Sequence, residues 1–304
     1  MKMSFMVSPD DNGKRIVDIL RSTHGMSSLL TKRIRLYGSL TIAKKDRRMI
    51  DIAYSGDIID IVYKDGNGLQ GEVPSRNGVE IIYSDQYIVL MSKPAGMVTH
   101  PVSYHQSGTL TDIYSDFALH PVSRLDRETS GLILMARDPH SHYVLACQHS
   151  SGNISKEYRA LCHGAFLPGS GMIAAPIGRR KDTRMLRRVT PDGADARTEY
   201  KTIEYFRSSD ISFMSFYLHT GKTHQIRVHC LYTGHPLLGD SLYGPYSNEN
   251  AHYLSTMQYD RSIDRQALHS FRLTFLHPSS RMPMDFTSEL PSDIGSLLTD
   301  LRNN

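Results

Sequence analysis

The sequence predicts an α+β protein built on a mixed, largely antiparallel sheet and preceded by a small N-terminal α/β unit. Three observations predict it. GLILMARD, KEYRALCHG, RTEYKTIEYF and ISFMSFYLHT are runs rich in β-branched and aromatic residues, the mark of strands. Two amphipathic helical stretches precede them within the first 40 residues. No internal repeat or low-complexity tract appears anywhere in the 304 residues.

The first unit reads as follows. In NGKRIVDILRSTHG, Ile16, Ile19 and Leu20 share one helical face, and Gly25 stops the helix. MSSLLTKRIRLYG repeats the theme. Ser27 or Ser28 is its N-cap, Leu29, Leu30 and Ile34 form its apolar face, and Gly38 ends it. Lys32, Arg33 and Arg35 fall on or beside the opposite face. SLTIA, a KKDRR turn and GDIIDIVY then supply short strands. Residues 1–64 form one unit and DGNGLQGEVPSRNG, within 65–79, reads as a linker. Residues 80–304 form the larger unit. There VEIIYSDQYIVLMSKPAG gives two strands with a turn at Ser84–Gln86, and SHYVLACQHS and THQIRVHCLYTGH read as helices.

Composition narrows the function. With 39% hydrophobic residues the chain can bury a sizeable core, and its formal charge of +4 says little alone. The distribution is more informative. Residues 1–50 carry eleven Lys/Arg against four Asp, about +7, so the remainder is net negative. A basic N-terminal segment on a near-neutral body suggests a handle for a polyanion, with a well-solvated surface as the plain alternative. Cys147, Cys162 and Cys230 are widely spaced and form no CxxC pair, so neither a disulfide framework nor a zinc knuckle is expected. The N-terminus lacks an apolar signal core, and no run of about 18 apolar residues occurs. A soluble, cytoplasmic protein without a membrane partner is the expectation.

Several stretches bear on chemistry. HPVSRLDRETSGLILMARD, residues 120–138, sets Asp126 between Arg124 and Arg127, with Glu128 next. It reads either as an ion-paired surface turn or as an acid held charged against an anionic substrate. GKT at 221–223 is not a phosphate loop, because the glycine needed five positions earlier is Phe216. His219, His224, His229 and His235 are spaced five, five and six apart. On a helix, five residues turn about 140°, so one metal is not expected to join them. GRRKDTRMLRR, residues 178–188, holds six basic residues and one acid, and reads as an arm for a phosphate backbone or as a solvated hairpin. Lys156 and Tyr158 face one side of a strand, where a tyrosine beside basic residues either stacks a base or fills a core. Arg227, one turn after Thr223, suits bidentate carboxylate pairing but is equally an ordinary helix charge.

Together and in this order, these stretches resemble the RluA family of RNA pseudouridine synthases. YIVLMSKPAGMVTHP resembles its strand–KPAG–HP segment, SRLDRETSGLILMA its signature, and SKEYRALCHG its tyrosine motif. TGKTHQIRVHCLYTGHPLLGDSLYG and RQALHSFRLTFLHP resemble the third and C-terminal motifs. The resemblance spans about residues 80–290. More weakly, GKRIVDIL and SGDIIDIVY resemble an S4 RNA-binding domain, although LYGSLTIAKKDRR departs from that pattern. Two further departures are Ser123, where the family commonly has histidine, and Lys222, where it commonly has arginine.

The resemblance implies a pseudouridine synthase fold and isomerisation of uridine in structured RNA without a cofactor or a metal. Asp126 is implied as the catalytic carboxylate, acting as a nucleophile at C1′ or a base at C2′. Arg227 is implied as the cation that keeps it charged. Tyr158 is implied to stack on the extruded uracil and to assist proton removal from C5, and Arg124 to fill the vacated helix position. Lys32, Arg33, Arg35, Arg179, Arg180, Lys181 and Lys222 are the further expected RNA contacts. Ribosomal RNA, most simply 23S, is the expected substrate of a monomeric enzyme. Transfer RNA, a non-catalytic RNA-binding assembly factor and a nucleoside-directed glycosidase remain as alternatives. A glycosidase usually needs a second carboxylate, and Glu128 is its candidate.

Overall fold

The computed structural model describes residues 2–26, 28–63, 71–101, 107–180, 183, 185–244 and 257–303. The N-terminal part comprises β1 (Lys2–Met6), α1 (Ile16–Ser22), α2 (Ser28–Tyr37), β2 (Gly38–Ile42), β3 (Lys45–Asp46) and β4 (Ile58–Tyr63). Among the described residues its strands form a four-stranded sheet in the order β1-β4-β2-β3. Alternation decides which side packs. Met3 and Phe5 of β1, Leu40 and Ile42 of β2, and Ile59 and Ile61 of β4 are buried with Ile16, Ile19, Leu20, Leu30 and Ile34 of the two helices. The intervening Met6, Ile58 and Val62 are exposed. Gly38 ends α2 for a steric reason, since an added Cβ would sit 2.8 Å from the Ile34 carbonyl oxygen. The expected KKDRR turn is tighter than read. Ala43 and Lys44 turn the chain with φ of 51° and 63°, and Lys45–Asp46 already belong to β3.

The larger part comprises β5 (Glu80–Ser84), β6 (Ile88–Lys93), α3 (Leu110–Ile113), β7 (His120–Pro121), β8 (Ser130–Ala136), α4 (Pro139–Ser150), β9 (Ser155–His163) and β10 (Ser170–Ala174). It continues with β11 (Ile177–Arg179), β12 (Arg187–Val189), β13 (Arg197–Phe206), β14 (Ile211–Leu218), α5 (Gln225–Tyr232), α6 (Met257–Asp260), β15 (Leu268–Leu276), β16 (Pro283–Thr287) and α7 (Ser292–Asn303). Among the described residues the main sheet has ten strands, in the order β10-β13-β14-β9-β15-β8-β6-β5, with β16 on β15 and β7 on β8. The β15–β8 pair is parallel and the other pairings of this sheet, among the described residues, are antiparallel. This is the α+β, largely antiparallel architecture expected from the sequence.

β8 explains why SGLILMA is continuously apolar. Ile133 and Met135 enter one core with Val89, Met91 and Tyr158, while Leu132, Leu134 and Ala136 enter a second core on the opposite face. A third core forms where Ile294, Leu297, Leu298 and Leu301 of α7 meet Phe206, Ile211 and Phe213. These four residues have the i, i+3, i+4, i+7 spacing of a buried helix face. Each such side chain contributes of order 2 kcal/mol on removal from water.

The described part of the expected linker is tied down. Its residues 65–70 lie outside the described residues, whereas 71–79 are anchored on the large sheet. Val73 and Val79 are buried in the first core, and the Arg76 guanidinium binds Asp116 and the Ile113 carbonyl. Two valines and an arginine, hidden in a polar glycine-rich composition, tie the segment down. The two parts also touch directly: Phe5 meets Tyr143 of α4 edge-on at 5.6 Å, and the Cys147 thiol donates to the His24 carbonyl at 3.5 Å.

Candidate active site

Asp126 sits in the irregular segment between β7 and β8, with a side chain about one-quarter exposed. Four side chains hold this segment, three of them by its backbone. The Lys93 ammonium, at the end of β6, donates to the Arg127 carbonyl at 3.1 Å and to those of Pro94 and Met97 at 2.8 Å. The Thr99 hydroxyl donates to the Leu125 carbonyl and accepts from its N–H. Arg265, just before β15, donates to the Glu128 carbonyl at 3.0 Å and is gripped by Asp293 through both carboxylate oxygens. Gln266 donates to the Thr129 hydroxyl. The parallel contact of β15 with β8 brings these last two residues to the loop. Gly131 permits that contact: at φ 106°, an added Cβ would collide with the Ser270 carbonyl oxygen and lie 2.8 Å from the Ser270 nitrogen.

α5 supplies the cation. Arg227 is 4% exposed and directs Nη1 to Asp126 Oδ2 at 3.4 Å. Its Nε and Nη2 donate to the two oxygens of Asp240, both at 2.7 Å. Asp240 Oδ1 also accepts the backbone N–H groups of Leu242 and Tyr243. Burial works against the Arg227 charge, but Asp240 and then Asp126 outweigh it and raise the guanidinium above its ordinary value. The Tyr243 ring lies under the same guanidinium, 5.0 Å from centroid to Cζ. Gln225 anchors the start of α5. It accepts from the Thr220 hydroxyl and the Lys222 N–H, and donates to the Arg197 carbonyl and the Thr198 hydroxyl. His224 precedes the helix with φ 59° and places Nε2 3.9 Å from Asp126 Oδ1.

Tyr158 lies on β9 beside Ser270 of β15 and is 7% exposed. Burial, reinforced by the charge of Asp126, raises its phenol well above the ordinary tyrosine value. It is therefore a neutral phenol at pH 7. Its same-side neighbour Lys156 is buried as well, against the His149 ring, and burial pushes its amine down to about 8.

The structure thus brings Asp126, Arg227 and Tyr158 into one neighbourhood. The other expected contacts are dispersed. Arg124 is exposed on the loop before Asp126, beside His100. Lys222 is exposed at the start of α5, and Ser123 is half-buried. Arg179 and Arg180 are exposed at the β11–β12 hairpin. Lys32 and Arg35 are exposed on α2 of the other part. Lys181 and the Arg33 side chain lie outside the described residues. Arg127 pairs with Glu128 at 2.6 Å near the surface. The four C-terminal histidines take separate partners: Glu199 for His219, Tyr243 for His224, Thr198 and Ala175 for His229, and the His163 carbonyl for His235.

Sequence reasoning assigned no role to Lys93, Asp240, Gln225, Arg265 or Tyr243. A signal existed for each, because every one falls inside a motif-bearing stretch. What was missing was the partner, tens to more than a hundred residues away for Lys93, Gln225 and Arg265.

Comparison with known proteins gives the family. The family model described as RNA pseudouridylate synthase matches residues 87–232, the span holding Asp126, Tyr158 and Arg227. The chain is 33% identical over 288 residues to an uncharacterized RNA pseudouridine synthase, YjbO, of Bacillus subtilis, covering 86% of this chain and 96% of that protein. The chain belongs to the RluA family of RNA pseudouridine synthases. It is also 36% identical over 282 residues to ribosomal large subunit pseudouridine synthase D of Pseudomonas aeruginosa, covering 88% of this chain and 85% of that one. The solved structure of human RNA pseudouridylate synthase domain containing 4 shares the fold. Its TM-score is 0.60 at 22% identity, over 73% of this chain and 93% of that one. The protein is accordingly an isomerase that makes pseudouridine in RNA.

Proposed function

We propose that this synthase converts uridines of structured ribosomal RNA to pseudouridine, with Asp126 as its reacting carboxylate. The observation that carries the reading is the Asp126–Arg227–Asp240 chain. A partly exposed carboxylate faces a buried guanidinium that a second carboxylate holds fixed. Such an arrangement sets a fixed cation beside the Asp126 carboxylate while leaving that carboxylate reachable.

The reaction breaks N1–C1′, turns the uracil and joins C5 to C1′. The hydrogen on C5 leaves as a proton and N1 regains one, so no redox partner or group donor enters the balance. Asp126 acts either on C1′ as a nucleophile or on C2′ as a base. Tyr158 serves as a wall for the turned base, and its neutral phenol is unsuited to act as a phenolate base. A single-carboxylate rearrangement is favoured over glycoside hydrolysis. The other two carboxylates described beside Asp126 are both engaged: Glu128 is paired with Arg127 and Asp240 is committed to Arg227. Ribosomal RNA is favoured over transfer RNA by the likeness to large subunit synthases. The exposed basic residues of α2 and of the β11–β12 hairpin suit an extended phosphate backbone.

The test is pseudouridine mapping of total RNA from a deletion strain. One or more sites in large subunit ribosomal RNA should lose the modification. The wild-type chain should restore it and the Asp126→Asn chain should not. Loss confined to transfer RNA would redirect the substrate assignment, and restoration by Asp126→Asn would remove the mechanism.

A further inference from the structure

A second chain of contacts points at Asp126, toward the oxygen that Arg227 does not address. The backbone N–H of Arg187, in the β11–β12 hairpin, donates to the Tyr243 hydroxyl at 2.8 Å. That hydroxyl lies 2.8 Å from His224 Nδ1. His224 Nε2 in turn lies 3.9 Å from Asp126 Oδ1, while Arg227 addresses Oδ2. The donors along this chain favour one tautomer. The Tyr243 oxygen already accepts from Arg187, so its own proton is satisfied by going to Nδ1. Burial raises the Tyr243 phenol, which keeps that proton in place. With Nδ1 accepting, a neutral imidazole carries its hydrogen on Nε2, the atom facing Asp126.

We infer that His224, fixed as its Nε2–H tautomer by Tyr243, is a positioning residue that presents an N–H to the Oδ1 edge of Asp126. The inference rests on Asp126 being the reacting carboxylate. The observed 3.9 Å is longer than a hydrogen bond, and catalytic hydrogen bonds commonly tighten only when substrate arrives. A neutral N–H orients the carboxylate without neutralising it, whereas an imidazolium would compete with the substrate for its charge. The charged and titratable groups facing the imidazole are Asp126, Arg227, Asp240, Arg187 and Tyr243. Burial, the largest influence, lowers the pKa of His224 and keeps it neutral.

The backbone supports a side-chain reason for histidine here. At φ 59°, His224 sits in the left-handed region, where asparagine and glycine are at least as comfortable. Tyr243 ties the two donors together, since its ring meets His224 edge-on at 5.4 Å and also underlies Arg227. The hairpin that carries the exposed arginines therefore holds one end of the chain that reaches the carboxylate.

The experiment uses full-length variants and total RNA from the deletion strain labelled with tritium at uracil C5, which is released when C5 bonds to C1′. His224→Gln places an amide N–H near the Nε2 position. His224→Asn suits the left-handed backbone and the Tyr243 contact, but is too short to reach Asp126. The expected result is a kcat within about 10-fold of wild type for His224→Gln and a loss of about 100-fold for His224→Asn, with KM little changed. In Tyr243→Phe, Nδ1 is released and the acid limb of the kcat profile should move to higher pH. His224→Asn equal to or faster than His224→Gln would overturn the inference, as would an unmoved profile in Tyr243→Phe. Asp126→Asn run alongside separates the two readings. If it is inactive while His224→Asn is normal, only the inference about His224 falls. If it is active, the role of Asp126 itself falls.

Discussion

Asp240 grips Arg227 through both of its oxygens at 2.7 Å, and this grip points the remaining Nη1 at Asp126. The guanidinium is buried, so its charge depends on that partner. Asp240→Asn leaves a buried cation half-compensated. It should lower stability by about 3 kcal/mol in urea titrations and reduce kcat at least 10-fold. Arg227→Lys keeps the charge but cannot make the planar fork. It should fold and still lose kcat with KM little altered. A wild-type kcat in either variant would show that the grip has no bearing on chemistry.

Lys93 tests how the loop is held. Its three carbonyl partners suit the three N–H bonds of an ammonium. Burial pushes the amine down to about 7, while Asp126 and Glu128 pull it back up. Lys93→Met removes the donor and leaves three carbonyls unpaired in a closed site. A loss of about 3 kcal/mol is expected, together with a fall in kcat larger than any rise in KM. Unchanged thermal stability would mean that Thr99 and Arg265 alone suffice to set the loop.

Gly131 is the least replaceable position of the signature. Gly131→Ala should abolish soluble, folded protein, because the collision is with the backbone of β15 and no flexible side chain can yield. Circular dichroism of the purified variant decides the matter, and a native melting curve would refute the close-approach explanation.

Particular residues show what the sequence could and could not convey. The α+β class, the helices ending at Gly25, Gly38 and Gly234, and the strand character of β8, β9, β13 and β14 were legible, because periodicity and glycine punctuation are local signals. Asp126 and Arg227 were legible as a pair through family order, and the 3.4 Å contact supplies the distance that spacing cannot. β1, α7 and β16 were not read. KMSFM is too short to stand out beside its polar neighbours, and PMDFT alternates without a turn signal of its own. Asp240 drew no reading of its own, and only the fold shows it against Arg227. Residues 71–79 looked like linker because glycine and polar residues outnumber the two valines that anchor them.

Buried histidines set the acid limit of stability. His142 and His269 are each pushed by burial to about 4, with His120 adding to the effect at His142 and Arg265 at His269. In the unfolded chain both return to about 6.5. Between these values the unfolded state binds more protons, so their contribution is intact above pH 6.5 and is lost as pH falls toward 4. At pH 5 the loss is about 2 kcal/mol for each residue. Urea midpoints at pH 7 and pH 5 measure it, and His142→Gln should flatten the dependence by one residue's share. A midpoint insensitive to pH over that interval would mean that both rings protonate in place.

The basic hairpin and Arg124 should separate phosphate contact from chemistry. Arg179 and Arg180 are exposed on β11–β12, well apart in sequence from Asp126, and Arg124 is exposed two residues before it. Each neutralised phosphate releases condensed counterions, so losing one contact reduces the slope of log affinity against log salt by about 1. Arg179→Ala combined with Arg180→Ala should therefore weaken RNA binding most at low salt and flatten that slope by about 2. It should raise KM while leaving single-turnover kcat at saturating RNA near wild type. Arg124→Ala should act on both quantities, because the resemblance implies that this side chain fills the place of the extruded uridine, which bears on the reacting geometry as well as the encounter. Filter-binding titrations across 50–200 mM salt, paired with single-turnover rates, measure both. An unchanged salt slope in the double variant would remove the hairpin from the RNA path. Lys32 and Arg35 of α2 would then remain among the expected RNA contacts, together with Lys222 and Arg124.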